Sequence, residues 1–178
     1  MAASLPTRGE VVAAVSATSA EQEVRALVGA VCDPEIPVLT LADLGILRDV
    51  RADDDGHLVV TLTPTYSGCP AIDPIREDVA RVIAAAGYDD IEVQTVLAPA
   101  WTTDWISDEA REKLRVYGIA PPDPTQAHAP CLLVSHAPRC PRCDSDDTRE
   151  ISPFGSTPCQ SQHVCNACLE PFDRFKSI

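Results

Sequence analysis

Apolar residues recur at helical spacing at Val24, Leu27, Val28 and Val31, which predicts an amphipathic helix over residues 19–31. Thr18 and Ser19 offer N-cap oxygens, with Glu21 and Gln22 placed three residues on as in a capping box. Asp33-Pro34 ends the helix, because the residue before a proline avoids the helical region, and with Pro37 close behind, residues 33–38 form a stiff shaped loop. Two β-rich runs, 46–51 and 58–63, flank Asp53-Asp54-Asp55-Gly56 and predict a hairpin; Pro64 closes the second run because it cannot donate to the ladder. After the loop 64–70, Asp73 is placed to cap a second helix with Pro74 at its first position. Ile75, Val79, Val82, Ile83 and Ala86 form its apolar face, and Gly87 ends it. Ile91, Val93, Thr95 and Leu97 alternate as a third strand, and residues 107–116 form a further short helix ended by Tyr117-Gly118. Helix, hairpin, helix and strand in that order predict an α+β fold, a small α/β sandwich, followed by a separate C-terminal module.

The chain divides on this reading into a flexible N-terminal segment 1–18, a main domain 19–120, a Pro-rich linker 121–137 and a small module 138–178. A length of 178 residues with 45% hydrophobic content suits one core and one satellite. Fourteen Lys and Arg against 27 Asp and Glu leave a net charge of -13, which opposes nonspecific binding to nucleic acid or to an anionic membrane. No run approaches the roughly 18 apolar residues of a membrane span, and the start of the chain lacks the basic-then-apolar pattern of a signal peptide. A cytoplasmic, reducing location follows as the expectation, in which eight cysteines point to metal or redox chemistry before disulfides.

Cys140-Pro-Arg-Cys143 and Cys165-Asn-Ala-Cys168 have the two-knuckle spacing of a zinc ribbon, each turn giving two thiolates to a tetrahedral ion. Metal binding also explains how so small a module, poor in aliphatic residues, can fold. Soft thiolates hold zinc or an iron–sulfur cluster, so zinc is the first expectation and a cluster the second. Cys159 and His163 are additional candidate ligands, or else groups beside the metal; the turn 154–158 brings Cys159 towards it. Cys69 precedes the second helix and is either a small buried residue in the turn or a reactive, metal-competent thiol whose pKa the helix's positive end is expected to lower. Asp33 and Glu35, on the stiff loop, are candidate hard ligands or simply members of a capped turn. Cys32 is expected in the core, Cys131 carries no pattern, and His57, His128 and His136 are expected to be solvated. No hydrolase triad, phosphate loop or nucleotide fingerprint is present.

Residues Asp33-Pro34-Glu35-Ile36-Pro37-Val38 with Asp43-Leu44-Gly45 and the Cys69-Pro70 pair resemble the SufT-like family of iron–sulfur assembly proteins. Residues 98–122, with Trp101 and Trp105, and the tail with Phe154-Gly155-Ser156-Thr157 and Glu170-Pro171-Phe172 are similar to the PaaD family, accessory proteins encoded with the bacterial phenylacetyl-CoA epoxidase. Pro158 and Gln160 depart from the Ala and Lys expected beside Cys159. The resemblance implies a non-enzymatic maturation factor that assembles, inserts or transfers an iron–sulfur cluster, held transiently, for the epoxidase components and above all their iron–sulfur reductase. It makes Cys69 the reactive cysteine and Asp33 and Glu35 the acidic loop motif. Two other functions compete: a structural adaptor between oxygenase and reductase, and an electron-transfer protein with its own cluster. Exposed sheet edges also allow pairing into a homodimer.

Overall fold

The computed structural model describes residues 8–53, 57–123 and 137–178, with the backbone alone for residues 8–18. Cys131, His128 and His136 lie outside the described residues. The elements in chain order are α1 (Arg8–Gly29), β1 (Leu47–Ala52), β2 (Leu58–Leu62), α2 (Ile72–Ala85), β3 (Ile91–Thr95), a 3-10 turn (Thr103–Trp105), α3 (Asp108–Tyr117), β4 (Ile119–Ala120), β5 (Thr148–Ser152), β6 (Gln160–Cys165) and β7 (Pro171–Phe175). The architecture is α+β with two sheets, as expected.

The first sheet runs β1-β2-β3. β1 and β2 form the antiparallel hairpin, while β3 pairs parallel to β2, with α2 as the crossover between them. β2 is central and buried at Leu58, Val59, Val60 and Leu62. α1 packs on β1 and on α2, with Val24 and Val28 fully buried beneath it. Tyr88 ties α1 to the end of α2 through a 2.8 Å hydrogen bond to Glu23.

Several local expectations are corrected. α1 begins at Arg8, so Thr18 and Ser19 lie inside the helix and do not cap it; no proline or glycine interrupts the chain between residues 10 and 28, and Ala-rich sequence propagates freely. α2 starts one residue before Asp73, with Ala71 as N-cap and no side-chain cap bond; Asp73 instead sits in the first turn, where its charge complements the helix dipole. Ala86 is the C-cap and is exposed, while Gly87 takes φ +87° as the left-handed residue that stops the helix. Cys32 is exposed and not in the core, because the Cys32–Thr40 bridge turns its side chain outwards between buried Val31 and Asp33. His57 is paired with Asp53 and Asp90 on the surface.

The second sheet has order β4-β7-β6-β5. Its last three strands form an antiparallel meander belonging to the cysteine-rich module, but β4 comes from the segment just after α3 and pairs parallel to β7. The two parts of the chain are therefore joined by backbone as well as by side chains. Phe175, 1% exposed, packs against Trp101 with the ring centres 6.0 Å apart, within a core shared with Leu44, Ile106 and Leu114. Trp101 Nε1 donates to the Leu44 carbonyl at 2.9 Å. The Ile178 carbonyl accepts from Thr103 N, Thr102 Oγ1 and Thr103 Oγ1 at 3.1, 3.1 and 3.3 Å. Arg111 reaches the Pro122 and Thr103 carbonyls, and Arg174 pairs with Asp123, so the first residues of the expected linker are tied down.

Gly45 is required by geometry. It takes φ +66°, and a Cβ there would lie 2.7 Å from Trp105 Cβ, so the Asp43-Leu44-Gly45 turn packs backbone against the 3-10 segment. Asp43 binds the same region: its Oδ2 accepts from Thr40 N at 3.0 Å and from Lys113 Nζ at 2.7 Å, and its carbonyl accepts from Ser107 N.

Candidate functional sites

The four cysteines of the two knuckles converge. Cys140 and Cys143 come from the turn before β5, and Cys165 and Cys168 from the β6–β7 turn, and their Sγ atoms all lie within 4.8 Å of one another. Cys140 and Cys168 are 3.7 Å apart, and Cys143 and Cys165 are 3.5 Å apart. A tetrahedral zinc with Zn–S bonds of about 2.3 Å would separate its sulfurs by about 3.8 Å. The cage therefore fits a single metal ion, whereas a cluster would interpose its own irons and sulfides and hold the thiolates farther apart. Positive φ at Asp144 (60°) and Leu169 (64°) marks the residue just past each knuckle, where the turn closes. Without metal the thiols compete for protons: the N–H of Cys168 holds Cys165 down to about 7, while Cys143, although bonded by the Ser145 N–H, is pushed up to about 12 by proton sharing with Cys165 and Cys168. A divalent ion removes that conflict by deprotonating all four.

Neither additional candidate joins this cage. His163, 3% exposed, stacks on Phe172 at 5.7 Å and meets Ser161 Oγ through Nε2 at 2.9 Å. Burial lowers its pKa, so it is neutral at pH 7 and packs as a core residue of the ribbon. Cys159 ends the turn into β6 and lies in the core shared with the main domain, whereas Cys140 and Cys165 belong to a separate cluster with Ala120 and Phe172.

The second group lies on the main domain. Asp33 Oδ1 accepts from the N–H groups of Glu35 and Ile36, both at 2.8 Å, which folds the proline loop around its carboxylate. Asp33 N donates in turn to the Leu39 carbonyl at 2.9 Å. Cys69 is half-buried on the turn before α2; its Sγ is hydrogen-bonded by the Ala71 N–H and by the buried Thr65 hydroxyl. The helix N-terminus is thus present as expected, but its effect is outweighed. Burial pushes the Cys69 thiol up, the two hydrogen bonds pull it down, and Glu35 and Asp33 push it up again, leaving it above its ordinary value. The expected lowering is corrected on this ground. Burial likewise raises Asp33, and burial with the Asp33 charge raises Glu35.

Cys159 lies within electrostatic reach of this second group. Its pKa is raised by burial, against the Thr157 hydroxyl 3.0 Å away, and further by Glu35, Asp33 and Cys69. Tyr66, raised by burial, feels Cys69, Glu35 and Cys159 together. Burial holds the protons of Asp33, Glu35, Tyr66, Cys69 and Cys159 more tightly than in water, but among the described residues only the four knuckle cysteines lie close enough together to share a metal ion. Sequence spacing alone brings Cys159 towards the ribbon metal; its true place is set by a contact between residues far apart in the chain, which spacing does not carry.

Two family models match the chain. One, the PaaD zinc beta ribbon domain, matches residues 127–176, and the other, an iron-sulfur cluster assembly protein family, matches residues 21–96. An Escherichia coli (strain K12) protein, named as a subunit of a "Putative 1,2-phenylacetyl-CoA epoxidase", is 46% identical over 159 residues, covering 88% of this chain and 92% of that protein. The "Fe-S protein maturation auxiliary factor SufT" of Staphylococcus aureus (strain USA300) is 37% identical over 87 residues, 48% of this chain and 98% of its own. The crystal structure of a domain of unknown function, DUF59, from Bacillus anthracis superposes with a TM-score of 0.52 at 34% identity, covering 57% of this chain and 96% of that one.

Proposed function

Because the chain belongs to the PaaD family, sharing 46% identity with the Escherichia coli protein over most of both lengths, we propose that it is a non-catalytic accessory factor. In this role it assembles, inserts or transfers an iron–sulfur cluster, or iron, for a phenylacetyl-CoA epoxidase system. The observation that carries this reading is the half-buried Cys69 thiol held between the start of α2 and the Asp33–Glu35 loop, on the very domain that matches the maturation factors. The iron or cluster is cargo. Asp33 and Glu35 attract a cation to a thiol that is otherwise protonated, and the cation's arrival releases that proton. Zinc occupies the Cys140, Cys143, Cys165 and Cys168 cage and supplies folding free energy to the ribbon. Its role is structural, since a single closed four-thiolate ion offers no open position for exchange.

The client best suited to this role is the iron–sulfur reductase of the epoxidase. Replacing Cys69 by Ser in cells that produce the epoxidase components is expected to leave this protein folded while the iron and sulfide content of the purified reductase falls. Unchanged cluster content in the reductase would refute the proposal. An adaptor role is favoured by one observation, that the Escherichia coli relative is named as part of an epoxidase; constant stoichiometry with the whole complex through purification would support it over transient delivery.

A further inference from the structure

The outer face of α3 carries a surface that neither the zinc cage nor the Cys69 turn uses. Glu109, Glu112, Lys113, Val116 and Tyr117 recur at i, i+3, i+4, i+7 and i+8, so they form one stripe along the helix, beside the fully buried Ala110 and Leu114. Val38, at the end of the proline-stiffened loop, closes the stripe into a groove of about 610 Å³. Val116 is 74% exposed and Tyr117 54%. Single apolar side chains in water are ordinary, whereas two of them side by side in one concavity with a third mark a binding surface.

The groove is rigid before anything binds. Ser107 Oγ caps α3 by accepting from Ala110 N at 3.1 Å, Gly118 stops it at φ +99°, and Arg111 donates to the Pro122 and Thr103 carbonyls at 2.6 and 2.8 Å. A surface held in this way loses little conformational freedom on association. Its charge is acidic. Lys113 is bound to Asp43 at 2.7 Å and Arg115 to Glu112 at 2.6 Å, while Glu109 has no such bonded cation. The whole chain carries -13, and the loop that ends at Val38 begins with Asp33 and Glu35. Basic partners are therefore the ones steered to this face.

The stripe also lies between the two matched families. The assembly match ends at residue 96 and the ribbon match begins at residue 127, whereas the 159 residues shared with the Escherichia coli protein, 88% of this chain, necessarily span it. Discrimination of one client from others belongs on surface outside the general assembly domain.

We propose that the groove between α3 and Val38 docks the client through a basic amphipathic segment, which seats aliphatic or aromatic side chains on Val38, Val116 and Tyr117 and sets Lys or Arg against Glu109 and Glu112. The inference deepens the assembly-factor reading and rests on it. A client seated there lies beside the acidic loop of Asp33 and Glu35. A groove of this size takes only a few anchoring side chains, which suits a complex that forms for delivery and then parts.

The test titrates the zinc-loaded full chain with the purified reductase component of the epoxidase, prepared without its cluster, and follows binding by interferometry at low and raised salt. The natural chain is expected to bind, with an affinity that falls as salt rises. Val116→Asp, Tyr117→Asp and the double variant Glu109→Lys with Glu112→Lys should each weaken binding by about tenfold or more, whereas Leu169→Asp, on the ribbon at a site 76% exposed, should not change it. All five positions are exposed, so zinc content and circular dichroism should match the natural chain. No binding by the natural chain, or normal binding by Val116→Asp and Tyr117→Asp, would overturn the groove as the client's dock. A dimer of the natural chain that dissociates in those two variants would make a second copy the occupant and overturn it equally. Reductase cluster content in cells separates this inference from the reading beneath it. A fall with Cys69→Ser and none with Val116→Asp would overturn the groove alone; no fall with Cys69→Ser would overturn the assembly-factor reading and with it the delivery role of the groove.

Discussion

Replacing Phe175 by Ala tests whether ribbon and main domain are one cooperative unit. Phe175 is 1% exposed, sits on the last strand of the ribbon sheet, and packs on Trp101 in the main core. Truncating a fully buried Phe costs about 3–5 kcal/mol, a figure that already includes its contact with the Trp101 ring. For a chain of this size each kcal/mol lowers Tm by about 2–4 °C, so the midpoint should fall by about 6–20 °C. Thermal and denaturant unfolding of the zinc-loaded protein, followed both by far-UV circular dichroism and by tryptophan fluorescence, measures the loss; Trp101 and Trp105 both lie near the junction. Phe154→Ala, at a site 68% exposed, serves as control and should stay within about 0.5 kcal/mol. In the Phe175 variant Cys159 should also become more reactive to alkylation, since the same contact holds its turn in place. A loss below about 1 kcal/mol, or two separate transitions in the natural protein, would refute the shared-core argument.

Cys140→Ser should reduce zinc from about one per chain to near none and unfold the ribbon, because structural zinc contributes folding free energy directly; metal analysis with near-UV circular dichroism checks this. The raised pKa of Cys69 means that the thiol is neutral at pH 7, so its alkylation should be slow there and keep climbing as pH passes the ordinary thiol range of about 8–9. Asp33→Asn removes one of the charges that hold the proton on and should speed alkylation at a given pH, measured by mass spectrometry of the Cys69 peptide. Gly45→Ala meets both a left-handed backbone and the Trp105 Cβ 2.7 Å away, and should cost about 1–3 kcal/mol in denaturant unfolding without changing zinc content.

Features governed by neighbours in sequence were legible. The hairpin, the apolar face of α2, the glycine stop at Gly87 and the Ser107-to-Gly118 span of α3 each follow from local steric and capping rules, and each appears within a residue or two of its expected place. The two knuckles were equally legible, because a Cys-x-x-Cys turn creates its own geometry wherever it occurs. Errors arose where a local rule competed with a stronger influence. Thr18 and Ser19 have the chemistry of caps, but an uninterrupted Ala-rich stretch carries the helix through them. The Cys69 thiol does receive an N–H bond at the head of α2, yet burial and two carboxylates reverse the outcome.

The placement of Cys159 was out of reach for a different reason. Its position depends on the β6–β7 register, on Phe175 meeting Trp101, and on the Ile178 carbonyl being held by Thr102 and Thr103, none of which is encoded near residue 159. Those same contacts tie the ribbon to the main domain. A zinc ribbon that served only to stabilise itself would have no reason to share a sheet with its neighbour, yet β4 joins the ribbon sheet from the main-domain side. The main domain matches free-standing maturation factors of about half this chain's length. What the ribbon adds to that shared framework is a sheet continued from the main domain by β4 and an aromatic contact, Phe175 on Trp101, that seats it there.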